Sequence, residues 1–258
     1  MIKRIDFRIE ALETMKRYPE TLYCIGNTGL LEARKVSIVG TRRPNSYTKR
    51  MVMQLAASLS RRGVVVVSGA AMGVDALAHR GAGSERTIAV MASGLDIRYP
   101  AVNASLIEEI ERKGLVLSQF EPGFKAAPWS FVVRNEMVVA LGDVLVVAQA
   151  DRKSGTMRSV EFAKAMGKPI YVFPHRLGES EGSNDLLKEG RAEMIFDIES
   201  FAEMFGEKGC AEVEDDFMAF CRTLPTYEEA LKRFGRRVFE AELEGIVTLC
   251  DGRLVPVE

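Results

Sequence analysis

Six short apolar runs, at 36–39, 64–68, 87–91, 115–118, 144–148 and 170–173, alternate with segments of helical character. They are rich in Val and Ile and apolar on both faces, as strands of a parallel sheet covered by helices on each side must be. Segments 48–61, 74–81, 104–112, 131–141 and 157–166 read as the intervening helices, with Ser46 as the N-cap of the first and Gly63 as its stop. Repeated βα units of this kind place residues 35–205 in a doubly wound, mostly parallel α/β domain.

On either side of that domain the texture differs. Residues 1–34 are expected to be a helical lead-in. Residues 206–214, opening on Gly206-Glu207-Lys208-Gly209, read as a linker into an acidic patch. Residues 215–258 then offer helices at 215–221, 227–234 and 236–243, followed by β-prone residues on both sides of Asp251-Gly252, a strong hairpin signal. Three helices and a hairpin describe a small winged-helix-like unit.

The net charge of −1 looks unsuited to a polyanion partner until it is divided along the chain. Residues 1–50 carry 11 basic and 5 acidic side chains, residues 51–200 nearly balance, and residues 201–258 carry 7 basic and 13 acidic. Basic excess therefore sits beside the first loop and acidic excess in the tail. Cys24, Cys210, Cys221 and Cys250 form no CxxC pair, and His79 and His175 are the two histidines, which disfavours a zinc site or a disulfide framework. Asp6, Glu10 and Glu13 interrupt the apolar residues at the start, and no run approaches the roughly 20 residues of a membrane span. The expectation is a cytoplasmic protein with no membrane partner.

Three loops follow strand candidates: Gly40-Thr41-Arg42-Arg43-Pro44, Ser68-Gly69-Ala70-Ala71-Met72-Gly73 and Ser154-Gly155-Thr156. In an open parallel sheet such loops line the crevice at the carboxyl ends of the strands. Gly, Ser and Thr allow close backbone approach and offer N–H and hydroxyl donors, so the three read together as a phosphate cradle. For a single loop, tight strand-to-helix packing is an equally good account. The second loop lacks the Lys-Ser/Thr of a Walker motif and is not GxGxxG, which disfavours an NTPase or a dehydrogenase and leaves no cofactor to expect. Arg42 and Arg43 suit phosphate contact at the end of the first strand.

Between Lys125 and Asn135, cations, aromatics and an amide interleave as Lys125, Trp129, Phe131, Arg134 and Asn135. Single-strand binders use aromatic faces as base platforms with cations along the backbone. Trp129 and Phe131 also suit core anchors at a helix entrance. Asp75 and His79, at i and i+4, share a helix face and read as loop-orienting hydrogen-bond partners before an acid–base pair.

On these segments, together with Tyr99-Pro100, Leu117-Ser118, Gly182, Asn184, Leu187, Gly190 and the stretch Glu240 to Gly245, the chain resembles the DNA-processing protein A (DprA/Smf) family over most of residues 22–258. The resemblance implies a Rossmann-like domain that binds single-stranded DNA, a homodimer, and protection of incoming strands with delivery to the recombinase RecA in natural transformation. It carries DNA contacts onto Arg42, the Ser68-Gly69-Ala70 amides and Phe131 as a stacking ring, with Arg134, Asn135, Ser154 and Gly155 matching the pattern. Glu136, Gln149 and His175 depart from it, and the short lead-in resembles a form without the N-terminal helical domain.

The expected interface is therefore Gly40, Thr41, Arg42, Arg43, Ser68, Gly69, Ala70, Lys125, Phe131, Arg134, Asn135, Ser154, Gly155 and Thr156, in a protein that is not an enzyme and holds no metal. The rival reading is a Rossmann-like nucleoside-monophosphate phosphoribohydrolase. Its Gly-Gly-Gly-x-Gly-Thr signature and downstream Glu have no counterpart in Ser154-Gly155-Thr156-Met157-Arg158-Ser159.

Overall fold

The computed structural model describes residues 1–207, 216–221, 223, 225–250 and 252–256. They fall into two compact units, Met1–Lys208 and Gly209–Glu258. The first unit contains β1 (Lys3–Arg4), β2 (Tyr23–Gly26), β3 (Lys35–Val39), α1 (Ser46–Arg61), β4 (Val65–Ser68), α2 (Val74–Ala82), β5 (Thr87–Val90), α3 (Ala104–Lys113) and β6 (Leu115–Ser118). It continues with α4 (Pro128–Leu141), β7 (Val144–Val147), α5 (Thr156–Ala165), β8 (Ile170–Val172), α6 (Glu181–Lys188), β9 (Glu193–Met194) and α7 (Ile198–Glu203).

All nine strands form one sheet in the order β1-β2-β6-β5-β4-β3-β7-β8-β9. Pairing is parallel from β6 to β9, while β2 runs antiparallel to β6 and β1 antiparallel to β2. The six predicted strands all form, within a residue of their expected ends. Strand side chains alternate between two cores, as a pleated sheet requires. Val65, Val67, Leu145 and Val147 pack with α4 and α5, whereas Val36, Ile38, Val66, Val144 and Val146 pack with α1 and α2. The chain lays β4, β5 and β6 on one side of β3 and then returns to place β7 on the other, so the order reverses between β3 and β7. Loops leaving these two strands diverge and open a crevice there.

Two expectations are corrected. Residues 1–34 are not a helical lead-in: they form two 3-10 turns, Glu10–Thr14 and Thr28–Leu31, and the strands β1 and β2 that extend the sheet. Ile9, Leu12, Leu22, Cys24 and Leu30 are buried in the same core as β4 and β7. The segment carries no signal of its own because β1 is Lys-Arg and β2 is four residues long, too short for a period to show. The N-cap of α1 is Asn45, not Ser46: Asn45 Oδ1 accepts from the Thr48 N–H at 2.8 Å, and Ser46 is the first helical residue. The helix ends as expected, with Gly63 at φ +74° just past the cap residue Arg62.

In the second unit, α8 (Asp216–Cys221), α9 (Tyr227–Phe234) and α10 (Arg236–Leu243) precede a hairpin of β10 (Val247–Cys250) and β11 (Arg253–Pro256). Cys250 pairs with Arg253, leaving a two-residue turn with Gly252 at φ +76°. Asp251 and the linker call from residue 208 onward lie outside the described residues. Phe217, Cys221, Ala230, Val238, Ala241, Val247 and Leu254 make a core separate from those of the sheet. Cys24 and Cys250 are free thiols. Among the described residues, no helix is long and apolar enough to cross a membrane and no cluster of three metal-ligating side chains occurs.

Leu12 has no exposed surface and packs where a detachable lead-in would leave no contact. Leu12→Ala should destabilise the first unit by about 2–5 kcal/mol, as truncation of a buried leucine does, in chemical denaturation.

Candidate nucleic-acid interface

At the switch point the loops after β3 and β7 and the start of α4 enclose a cleft of about 630 Å³, lined among others by Gly40, Thr41, Arg42, Phe131, Arg134, Asn135, Ser154, Gly155 and Thr156. A smaller recess beside it is lined by Arg42, Gly69, Ala71, Met72, Tyr99, Phe131 and Arg134. Two of the three predicted loops therefore face one cleft, and the second loop forms its inner wall.

That second loop is wired from within. His79 Nδ1 lies 2.7 Å from Thr87 Oγ1, whose proton goes to Val66 O, so Nδ1 carries the imidazole hydrogen and Nε2 accepts the Ala70 N–H at 3.2 Å. The Asp75 carboxylate accepts the Ala71 N–H at 3.4 Å and also draws the Gly69 amide. Asn103 Nδ2 donates to the carbonyls of Ala70 and Ala71 at 3.0 and 3.1 Å. Arg134, 4% exposed, reaches from α4 to donate to Gly69 O and, at 3.1 Å, to Val90 O. Ala70 is held in the left-handed region at φ +53°, a strain that persists only where surroundings over-determine the backbone.

These contacts correct two of the expected DNA contacts, Ser68 and the Ala70 amide, and leave Arg134 on the cleft lining with its guanidinium tied inward. Ser68 is buried and donates its hydroxyl to Ile38 O at 2.7 Å. Ala70 is buried with its amide committed to His79. The Arg134 guanidinium is committed to strand-end carbonyls and to the attraction of Asp75. Buried donors are satisfied internally wherever possible, so the amides expected to cradle phosphate turn inward. Asp75 and His79 take the loop-orienting role. Burial pushes the Asp75 carboxyl up against the pull of Arg134, and burial followed by Arg134 pushes His79 down to about 3.

The outward-facing chemistry lies elsewhere. Arg42 is exposed, its Cζ 5.6 Å from the centroid of the half-buried Phe131 ring, and among the described residues no carboxylate pairs with it. Tyr99, 49% exposed, lies 6.0 Å from Phe131 at a 52° tilt. Across the cleft, α5 begins at Thr156 with no side chain capping its first amides, and Ser154 Oγ and Ser159 Oγ are buried without a partner among the described residues. Met157 N–H and Arg158 N–H donate to Ser154 O and Gly155 O at 3.1 Å, and the helix dipole favours an anion at the amides ahead of them. Ser159, Arg158 and Tyr99 escaped sequence reasoning; Arg158 and Ser159 follow the third loop directly, and a helix start with two hydroxyls was the available signal. Arg43 and Lys125 are exposed but do not line the cleft. Trp129 packs edge-on against Phe120 and Phe124 at 5.6 and 5.5 Å, apart from Phe131.

The first loop is equally fixed. Thr41 N–H and Asn45 N–H donate to the backbone and side-chain oxygens of Gln149 at 2.9 and 3.0 Å, and Val74 N–H donates to Thr41 O at 3.1 Å. Gly73, at φ +80°, lies so close that a Cβ would stand 2.5 Å from Thr41 O and 2.6 Å from the Arg42 carbonyl carbon. Gly73→Ala should therefore cost about 1–3 kcal/mol or more in thermal unfolding, because strain and a backbone clash act together. His79 makes a pH prediction. Its pKa is depressed on folding, so the unfolded chain takes up the proton first as pH falls below 6.5, and the stability this group confers declines from there toward pH 3. Between pH 6 and 4.5, unfolding free energy in wild type should fall by up to about 1.4 kcal/mol per pH unit more than in His79→Gln.

The model of DNA recombination-mediator protein A matches residues 7–206. The chain is 34% identical over 197 residues to the putative DNA processing protein DprA of Mycobacterium tuberculosis (strain CDC 1551 / Oshkosh), covering 74% of this chain and 50% of that protein. It is 32% identical over 201 residues to DNA processing protein DprA of Bacillus subtilis (strain 168), covering 76% and 67%. The chain thus spans about half the length of the mycobacterial relative. Among solved structures, Helicobacter pylori DNA processing protein A, described for its single-stranded DNA binding mode, superposes with a TM-score of 0.77 at 42% identity, covering 79% of this chain and 94% of that one. Streptococcus pneumoniae DprA gives 0.74 at 30% identity, covering 80% and 75%. With its sheet order, its switch-point cleft and the match over residues 7–206, this chain belongs to the DNA recombination-mediator protein A family.

Proposed function

We propose that the cleft binds single-stranded DNA, with the protein protecting incoming strands and loading RecA during natural transformation as a cytoplasmic homodimer without catalytic activity. The observation that carries the binding step is the exposed Arg42 guanidinium beside the half-buried, cleft-lining ring of Phe131, opposite the uncapped start of α5. Cation, ring face and helix amides match phosphate and base in one strand, and none of them reads a base edge, so sequence preference at this cleft is slight. The Helicobacter pylori relative described as a single-strand binder supports the reading. Asp75 lines the cleft but its carboxylate is held by the Ala71 amide, and His79 is fully buried on the Ala70 amide, which disfavours the rival, an N-glycosidic hydrolase working by an acid–base pair of these two residues.

The C-terminal unit is proposed as a winged-helix-like protein-contact or dimerising module rather than a duplex reader. Arg233 lies over Phe220 and Phe234, and Arg237 over Phe217, while Arg236 pairs with Glu240 at 3.1 Å. Its α10 presents Phe239 and Leu243, 50% and 88% exposed, where a groove reader needs donors.

Anisotropy of labelled oligo-dT, with duplex as competitor, tests the binding step. Oligo-dT should bind with salt-sensitive affinity that duplex does not displace, and Arg42→Ala should weaken binding and lower the salt slope by about one. An unchanged slope would remove Arg42 from the interface, and release of adenine from AMP would favour the enzyme.

A further inference from the structure

The basic excess of residues 1–50 is not used up by the cleft. Between Glu32 and Glu85 the single acidic residue is Asp75, which is buried behind the second loop. Arg43, Lys49 and Arg50 lie in this stretch, all three exposed, and among the described residues no carboxylate forms an ion pair with any of them.

Their position works against the helix that carries two of them. α1 has no acidic residue in its first turn, and Lys49 and Arg50 follow shortly after its N-cap, Asn45. The N-terminal end of a helix carries partial positive charge, so cations there are disfavoured, and a carboxylate three or four residues away is the usual relief. At the C-terminal end of the same helix the cations are paired, Arg61 with Glu199 and Arg62 with Glu199 and Glu203. Unpaired cations at the disfavoured end break a local rule without compensation inside the fold, and an external anion supplies that compensation.

These cations continue the cleft. Arg42 lines it, and Arg43 is the next residue on the same loop. Arg42 and Asn45 cannot be more than about 11 Å apart along the chain, and Arg50 lies about 8 Å further along α1. On the far side of the loop a pocket of about 570 Å³ is lined by Asn45, Ser46, Tyr47, His175, Arg176 and Glu179, among others. Lys49 and Arg50 stand three and four residues after Ser46 and so share its face of the helix. Burial pushes the Tyr47 hydroxyl up and the Arg50 charge opposes it, which sets that guanidinium by the pocket wall. Arg176 is exposed and likewise without an ionic partner among the described residues. Glu179, the carboxylate of this rim, accepts from Asn45 Nδ2 at 3.4 Å. Cations therefore outnumber carboxylates along the whole path from Arg42 to the pocket.

We propose that single-stranded DNA leaving the main cleft at Arg42 continues over the first loop and along the N-terminal face of α1, its phosphates met by Arg43, Lys49 and Arg50, with Arg176 on the opposite rim of the pocket. The proposal rests on the single-strand reading of the cleft. A strand that must leave a crevice and turn onto a helix within about 20 Å has to be flexible, and a duplex, stiff over about 150 base pairs, is not.

Salt-dependent anisotropy tests the extension with oligo-dT of about 4 and about 16 nucleotides, the range of site sizes among single-strand binders, and with duplex. Each phosphate contact adds about 0.7 to the slope of log affinity against log salt, so the longer oligonucleotide should show the steeper slope on wild type. Combining Arg43→Gln, Lys49→Gln and Arg50→Gln should lower that slope by about 2 and leave the slope of the shorter one unchanged, whereas Arg42→Ala lowers both. The three side chains are exposed, so the combined variant keeps the fold, and its thermal midpoint should stay level or rise as cations leave the positive end of α1. If the combined variant leaves the slope of the longer oligonucleotide unchanged, the extension is overturned and the cleft reading stands. An equal loss of slope on duplex assigns the patch to duplex and also overturns it. If neither oligonucleotide binds wild type, the cleft reading fails and the extension with it.

Discussion

A guanidinium placed inside the protein, Arg134, organises everything around the cleft. It leaves α4 and takes the carbonyls of Gly69 and Val90, the residues at the ends of β4 and β5, while Asp75 on α2 supplies the opposite charge. A buried cation without such partners costs several kcal/mol, so helix, strand ends and carboxylate are obliged to stay together. With Asp75 and Arg134 in place, the amides of the intervening loop are drawn inward, and His79 and Asn103 complete the set. The loop becomes a rigid wall rather than a donor nest.

Because that wall is rigid, the neighbouring loop can be placed against it. Gly73 leaves room for the backbone of Thr41 and Arg42, and Gln149 holds the other side through Thr41 and Asn45. Arg42 is thereby kept beside Phe131, free of carboxylates among the described residues. Gln149, which departs from the family resemblance, thus acts as a bracket for the first loop. Glu136, a second departure, turns toward the N-terminal segment and accepts the Lys16 N–H at 2.8 Å. The third, His175, belongs to the neighbouring pocket.

The N-terminal segment ties the same scaffold from another direction. By adding β2 antiparallel to β6 and β1 to β2, and burying Leu12 under the sheet, it covers the β6 edge and leaves the two-residue β1 as the edge strand. Rigid strand ends with mobile ligands between them are a general arrangement for sites at switch points, since the scaffold fixes geometry before any ligand arrives.

Strands, helices and the crevice edge were legible because they depend on local pattern: a four-residue run such as Val65–Ser68 buried on both faces announces itself in composition alone. Arg42 and the Ser154-Gly155-Thr156 turn were legible because they follow strand ends, and Phe131 because aromatics and cations interleave between Lys125 and Asn135. The direction in which each polar group points was not. Arg134 reads in sequence as one of a set of DNA contacts and Ala70 as a phosphate-facing amide, yet the first ties strand-end carbonyls from the cleft wall and the second is a bound donor. The sequence by itself determined a doubly wound sheet with a ligand edge. Only tertiary structure decided which donors remain for the ligand, because hydrogen-bond satisfaction in a buried site depends on partners brought from 65 residues away, as Gly69 and Arg134 are.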